Sequence, residues 1–369
     1  MTSPSAPIPV LVLGTGKIGR LVCQLLAESG DYAVTAVDLQ AAMADAAIRD
    51  AAGRPYPHAQ GVGADFTDPA TLVRLGEGQR YIVSCAPFHC NLTIAEAAKV
   101  VGAHYLDLTE DVATTKGVMR LAEDASTAFI PQCGLAPGFI SIVAAHLAAG
   151  MEPLERVHLR VGALPLHPRN RLKYNLTWST EGLVNEYCNP CEAVVDGRMV
   201  TVPPLEGLET ITLDGETYEA FNTSGGLGTL ADTWLGKVKQ ADYKTLRYPG
   251  HRDLVAFLLE DLRFKEDRAG LKALLERSVP HTTEDQVLIY VSAVGYLGGS
   301  LSERTYAHKM RSRPLGGRVW GAIQVSTASG ICAVLDLHAA GRIQQRGLVR
   351  QETIAYSDFI ANRFGMAYA

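Results

Sequence analysis

Residues 8–38 read IPVLVLGTGKIGRLVCQLLAESGDYAVTAVD, and this stretch decides the fold. Ile8–Leu13 is a short apolar run bounded by glycine, the pattern of a buried strand. Gly14, Thr15, Gly16, Lys17, Ile18 and Gly19 follow at once. From Arg20 to Glu28 the residues Leu21, Val22, Leu25 and Leu26 share one helical face, and Gly30 ends the helix. Tyr32–Val37 is the next strand, closing on Asp38. A G-x-G-x-x-G run alone says little; between a strand and a helix, with an acid 19 residues beyond Gly19, it predicts a dinucleotide loop. Gly14 permits the turn, Gly16 lets a pyrophosphate approach the backbone, and Gly19 lets helix and strand pack closely. The helix start offers free N–H groups and a partial positive charge to the phosphates. A carboxylate at Asp38 accepts from a ribose diol and repels a 2′-phosphate. Leu39-Gln40 supply no arginine, so the expected cofactor is NAD.

Working outward, strand and helix keep alternating. Helices are expected at Ala41–Ala52, Asp68–Leu75, Asn91–Val101, Thr114–Ala125 and Phe139–Ala149. The strands between them are His58–Ala64, Tyr81–Cys85, His104–Leu108 and Ala128–Ile130. Such alternation specifies a doubly wound parallel sheet with helices on both faces. Ligands bind at the strand C-termini of such sheets. Asp65-Phe66 would there flank the adenine and Ala86-Pro87 the nicotinamide ribose, unless Asp65 only caps a helix and Pro87 only breaks a loop.

Beyond residue 153 strands follow strands: Arg156–Leu164, Thr201–Pro203, Thr210–Leu213, Val287–Val294 and Arg318–Val325. Helices fall at Thr180–Tyr187, His251–Leu259, Leu271–Arg277, Ser329–Ala340 and Tyr356–Arg363. The expectation is α/β: a doubly wound Rossmann domain over the first 153 residues, and an α+β region with a mixed or antiparallel sheet from residue 154.

Composition narrows the function. Of 369 residues 47% are hydrophobic and 20% charged, which is globular rather than disordered. With 34 basic against 39 acidic residues there is no excess to neutralise phosphates, so no nucleic-acid partner is expected. No run of about 18 apolar residues suggests a membrane span, and Met1–Pro9 lacks signal-peptide features. Seven scattered cysteines read as reduced thiols of a cytoplasmic protein. Cys188 and Cys191 form a single CxxC without partner ligands, so no metal is expected.

Three later motifs go further: CGLAPG (133–138), KYNLTWSTEGLVNEY (173–187) and KTLRYPGH (244–251). Together they resemble the saccharopine dehydrogenase-like family across nearly the whole chain, its lysine 6-dehydrogenase (L-lysine ε-dehydrogenase) branch most of all. Saccharopine reductases of that family typically carry aspartate where this chain has Ala136, and prefer NADP. The resemblance implies NAD-dependent oxidation of the ε-amine of L-lysine to 2-aminoadipate 6-semialdehyde, which cyclises, with release of ammonia. It also implies that residues 329–369 fold back on the Rossmann domain of 1–153, that residues 154–328 carry the substrate and dimer contacts, and that the protein is a homodimer or higher homo-oligomer. Two rivals stand beside it: reductive coupling of an amine with a carbonyl acid, as in saccharopine reductase or carboxynorspermidine dehydrogenase, and a non-catalytic NAD-binding sensor or scaffold.

The expected roles follow. Arg247 grips the substrate carboxylate with a planar fork, or pairs with a surface acid. His251 is a candidate base, or a helix cap. Lys244 relays a proton if burial lowers its pKa, or is a solvated charge. Glu110, beyond the fifth strand, meets the substrate amine, with Asp111 beside it as a helix cap. Tyr174 and Trp178 wall the methylenes. Glu181 pairs with an α-ammonium, or is an ordinary acidic residue of a first helical turn.

Overall fold

The computed structural model describes residues 6–369. The leader-free reading of Met1–Pro9 thus falls partly on residues 1–5, outside the described residues. Six strands follow the expected alternation: β1 (Ile8–Leu13), β2 (Tyr32–Asp38), β3 (Ala59–Gly63), β4 (Tyr81–Ser84), β5 (His104–Asp107) and β6 (Ala128–Ile130). Helices α1 (Gly19–Ser29), α2 (Ala41–Ala47), α3 (Pro69–Gly76), α4 (Asn91–Val101) and α5 (Val112–Ala122) connect them, and α6 (Phe139–Ala148) comes next. All six strands are parallel, in the order β6-β5-β4-β1-β2-β3, so the order reverses beside β1. Val10, Leu11, Val12 and Leu13 are wholly buried, as a strand covered on both faces requires.

The second sheet is mixed. It comprises β7 (Leu154–Pro165), β8 (Cys191–Val195), β9 (Arg198–Val202), β10 (Glu209–Leu213), β11 (Glu216–Asn222), β12 (Val238–Arg247), β13 (Asp285–Leu297) and β14 (Ser300–Arg311). The main path is β10-β11-β12-β7-β13-β14, with β8 joining β12 and β9 joining β8. Only β12 and β7 run parallel. Its helices are α7 (Thr180–Cys188), α8 (Leu230–Trp234), α9 (His251–Ala256) and α10 (Arg268–Ser278). A ribbon of β15 (Arg313–Leu315) and β16 (Arg318–Trp320) leads into α11 (Ala322–Ala339). Then β17 (Gly347–Leu348) pairs with β6, adding a seventh strand to the first sheet, and α12 (Tyr356–Ala361) closes the tail.

Three local expectations fail for physical reasons. The strand over Arg318–Val325 stops at Trp320, and the helix expected from Ser329 begins at Ala322. The carboxylate of Asp285, from β13, accepts the N–H groups of Ala322 (2.5 Å) and Ile323 (3.2 Å), a cap supplied from far along the chain. The helix expected over Ala41–Ala52 ends at Ala47, because Asp50 accepts from the N–H groups of Ala52 and Arg54 and folds the chain into a turn. The segment around KTLR, to which the sequence pattern assigns no element, is the end of strand β12. By length and composition α11 also suits a membrane span, against the expectation of none, yet 78% of it is buried inside the protein, packed on α1 and β13.

Candidate active site

Residues at the C-terminal ends of β1, β4, β5 and β6 face α7, β7 and β12 across a cavity of about 180 Å³. On the nucleotide side the geometry fits a dinucleotide. A Cβ on Gly14 would lie 2.8 Å from the Cys85 carbonyl oxygen, and one on Gly19 would lie 1.9 Å from that of Gly14. At Gly16 a Cβ would meet nothing within 4 Å, so the space above that peptide is open for a phosphate. Among the described residues no side chain caps α1. Asp38 Oδ2 accepts from the N–H and the hydroxyl of Thr15, both at 2.9 Å, and Oδ1 accepts from the Gln40 N–H. The carboxylate thus holds the loop and keeps lone pairs for a ribose diol. Ile18, Ala86 and Pro87 line the cavity. Asp65 and Phe66 do not: Asp65 accepts from the N–H and hydroxyl of Thr67, and Phe66 packs on the core beyond β3. They sit at the edge next to Asp38, since Ala64 N–H donates to the Asp38 carbonyl. Lys17 turns its ammonium away from the loop, to the Trp178 carbonyl (3.4 Å) and His281 Nδ1 (3.0 Å).

Opposite the loop, three carboxyl groups and one guanidinium line the cavity: Glu110, Glu181, Glu186 and Arg247. Glu110 follows Asp107, buried at the end of β5, whose Oδ1 accepts the N–H groups of Thr109 and Gln132 and so ties the loop after β5 to that after β6. Two glycines make room for it. A Cβ on Gly182 would lie 2.7 Å from Glu110 Oε1, and one on Gly225 would lie 2.2 Å from its carbonyl oxygen. Burial pushes Glu110 up to about 7, and the charges of Asp111, Asp107 and Glu181 add to the effect. Glu186 on α7 is pushed up to about 8 by burial; nearby Arg247 opposes the rise and Glu110 adds to it. Glu181 meets His89 and Lys272, each at 3.5 Å.

Arg247 is 2% exposed. Its Nε donates to Tyr187 Oη at 2.9 Å and its Nη1 to Thr245 Oγ1 and the Leu246 carbonyl. Nη2 stays without a hydrogen bond among the described residues, 3.8 Å from Glu186 Oε2. The guanidinium lies 5.1 Å from the Tyr174 ring and 5.7 Å from that of Tyr187, a cation–π sandwich that compensates part of its lost hydration. Tyr174 therefore stands behind the arginine rather than on the cavity wall. Trp178 does line the wall, its Nε1 donating to Tyr174 Oη at 3.2 Å.

Two expected catalytic groups are corrected. Successive side chains of a strand point to opposite faces. Tyr243, Thr245 and Arg247 face the cavity, so Lys244 faces the other way, donating to the Gly207 carbonyl (2.6 Å) and Glu209 (2.8 Å). His251 is 2% exposed and does not line the cavity. Its Nδ1 lies 2.7 Å from the Leu172 carbonyl, so that nitrogen carries the proton, and Nε2 accepts from Tyr187 Oη at 2.9 Å. Burial and Arg247 push it down to about 3. It orients Tyr187, which orients Arg247. It is not the helix cap either: Glu219 of β11 accepts the N–H groups of Gly250 and Arg252.

The reading from sequence missed Glu186, Tyr187 and Thr245. Glu186 lies inside WSTEGLVNEY, five residues beyond Glu181, and the helix puts both at the cavity. Among the described residues no group of three His, Cys, Asp or Glu side chains is gathered as a metal site, and all seven cysteines are free thiols.

Residues 10–130 match the family profile described as the saccharopine dehydrogenase NADP binding domain, and residues 134–364 match the saccharopine dehydrogenase C-terminal domain. A curated relative, the NADP(+), L-glutamate-forming saccharopine dehydrogenase of Schizosaccharomyces pombe, is 21% identical over 276 residues, which is 70% of this chain and 59% of the relative. The chain thus spans less than two thirds of that relative's length. Among solved structures, the apo L-Glu-forming saccharopine dehydrogenase of Saccharomyces cerevisiae covers 94% of both chains with a TM-score of 0.74 at 16% identity, a likeness of fold. The two profiles together take in the glycine loop, the second sheet and the returning tail, and on that ground the chain belongs to the saccharopine dehydrogenase family.

Proposed function

We propose that the chain is a nicotinamide-dependent oxidoreductase acting on the CH–NH2 group of a diamino monocarboxylic acid, namely NAD-dependent oxidative deamination of the ε-amine of L-lysine. The observation that carries this reading is the polar make-up of the cavity: one guanidinium, that of Arg247, and three carboxyl groups, of which burial holds Glu186 protonated up to about 8 and Glu110 up to about 7. One carboxylate and two amines complement that set. A saccharopine-type product carries three carboxylates, more than the one guanidinium among the lining residues can pair. Asp38 at the ribose position favours NAD over NADP.

Arg247 Nη2 takes the substrate carboxylate, and Glu181 or Glu186 sits near the α-ammonium. Glu110, poised near neutrality, accepts the proton of the ε-ammonium, because only the neutral amine can lose hydride from its carbon. The bound nicotinamide supplies the hydride acceptor. Water then adds to the substrate imine and ammonia leaves, so that R–CH2–NH3+, NAD+ and water give R–CHO, NH4+, NADH and a proton. Trp178 and the apolar wall of Leu135, Val161 and Ala163 flank the methylenes and exclude bulk water.

A second reading is reductive coupling of an amine with a carbonyl acid, favoured by the names of the relatives. Absorbance at 340 nm with NAD or NADP and a panel of amines separates the two. Lysine-dependent NADH with stoichiometric ammonia supports deamination. NADPH consumption only when an amine and a carbonyl acid are both present moves the protein to coupling. Tight cofactor binding without turnover on any amine leaves the sensor reading.

A further inference from the structure

We propose that Lys17 is a positioning residue, a strut through which dinucleotide binding orders the wall of the substrate cavity. The proposal rests on the dinucleotide reading of the glycine loop and is independent of which amine is oxidised. Lys17 lies in the glycine loop between Gly16 and Gly19, yet its side chain takes no part in that loop. Its backbone carbonyl instead accepts from Gln324 Nε2 of α11 at 3.0 Å, and its side chain crosses to the other lobe. There Nζ stands 3.0 Å from His281 Nδ1 and 3.4 Å from the Trp178 carbonyl.

The histidine contact has two exclusive forms. His281 Nδ1 is also 3.0 Å from the Leu176 carbonyl. A ring nitrogen holds either a hydrogen or an accepting lone pair, so it serves Lys17 or Leu176, never both. With the lone pair toward Lys17 the strut has two acceptors; with the hydrogen toward Leu176 it rests on the Trp178 carbonyl alone. Anything that fixes the loop peptide, as phosphates bound over Gly16 would, favours the fully made form.

What the strut pushes on reaches the substrate. The Trp178 ring lines the cavity, its Nε1 donates to Tyr174 Oη, and the Tyr174 ring lies under the Arg247 guanidinium. A contiguous line of contacts thus joins the cofactor loop to the substrate anchor, with a two-form element in it, which is what coupling between sites requires.

Amide hydrogen exchange with mass spectrometry tests this without turnover, using NAD and NADP as probes at concentrations that protect residues 14–22. In wild type, cofactor should slow exchange across residues 174–183 by about five- to tenfold, the size of one ordinary hydrogen bond. Lys17→Met should lose that cofactor-dependent protection while residues 14–22 stay protected, and Lys17→Arg should restore much of it. A merely structural loss would raise exchange at 174–183 with and without cofactor alike, and that result overturns the proposal. So does undiminished protection in Lys17→Met, or wild-type exchange at 174–183 that cofactor leaves unchanged or accelerates. Failure of both cofactors to protect 14–22 in wild type removes the dinucleotide reading and the strut with it.

Discussion

On the nucleotide side of the cleft the working groups are backbone N–H donors and absent side chains at Gly14, Gly16 and Gly19, with Asp38 as the one charge. On the substrate side they are side chains alone: Glu110 from the loop after β5, Glu186 from α7 and Arg247 from β12. The first kind of site is local, because a turn of backbone is specified by neighbours in the chain. The second is assembled from distant segments, each individually ordinary. A site built of backbone tolerates little change of shape, and a site built of charges responds to pH and to each partner removed.

The contrast can be broken at either side. The largest effect is expected at Glu110→Gln, which removes the group poised near neutrality. The turnover number for the amine should fall by about 10²–10⁴-fold, while cofactor dissociation constants by fluorescence titration stay within error. In wild type, kcat/KM should rise with pH and level off above about 7 as Glu110 ionises. A rate independent of pH across that range would take the base role from Glu110.

Next comes Arg247→Ala. Loss of the one guanidinium that lines the cavity among the described residues should raise the apparent KM for the amino acid by about 100-fold and leave NAD binding intact. An unchanged KM would separate Arg247 from substrate. On the other side, Asp38→Asn should weaken NAD and relax its preference over NADP by about tenfold, read as the ratio of kcat/KM values. A fixed ratio would return discrimination to the fold itself.

Glu186→Gln asks whether the buried acid is kept at a cost to the fold. The unfolded chain ionises this group from about 4.5, whereas the folded protein holds the proton up to about 8. Wild-type stability from this group is therefore fully present below 4.5 and lost as pH rises through 8. The glutamine variant should gain on wild type across that window, reaching on the order of 1–3 kcal/mol at pH 8 by chemical denaturation. A difference that does not grow with pH would place the acid in water. The smallest effect is expected at Lys244→Met, on the far face of β12: kcat and KM should change by less than about twofold, and a large loss would mean that the strand faces had been assigned the wrong way round.

Much of the first sheet could be read from sequence, since short buried strands and amphipathic helices alternate between glycine and Asp-Pro stops. The second sheet was read only in part. Strands β11, β12 and β14 carry many polar residues, and their pairing depends on partners far along the chain, so periodicity gave little purchase. The same limit explains the site. Residue type and neighbours suggest Arg247, which the structure does bring to the cavity, but spacing within KTLR carries no face until the segment is known to be a strand, so the sequence alone sets Lys244 beside it. Glu186 went unnoticed because a glutamate in a helix is the most ordinary of residues until Arg247 and Glu110 are brought within its reach.

The seventh strand of the first sheet has a consequence for how the protein is made. β6 is complete at Ile130, but β17, which pairs with it, and α11, which covers α1, come roughly 200 residues later. At about 5–20 residues per second that separation is on the order of 10–40 s of ribosome time. Through that interval the nascent nucleotide domain carries an open strand edge and an uncovered apolar helix face. The first sheet thus gains its last strand, and α1 its cover, only after the whole of the second sheet has been made.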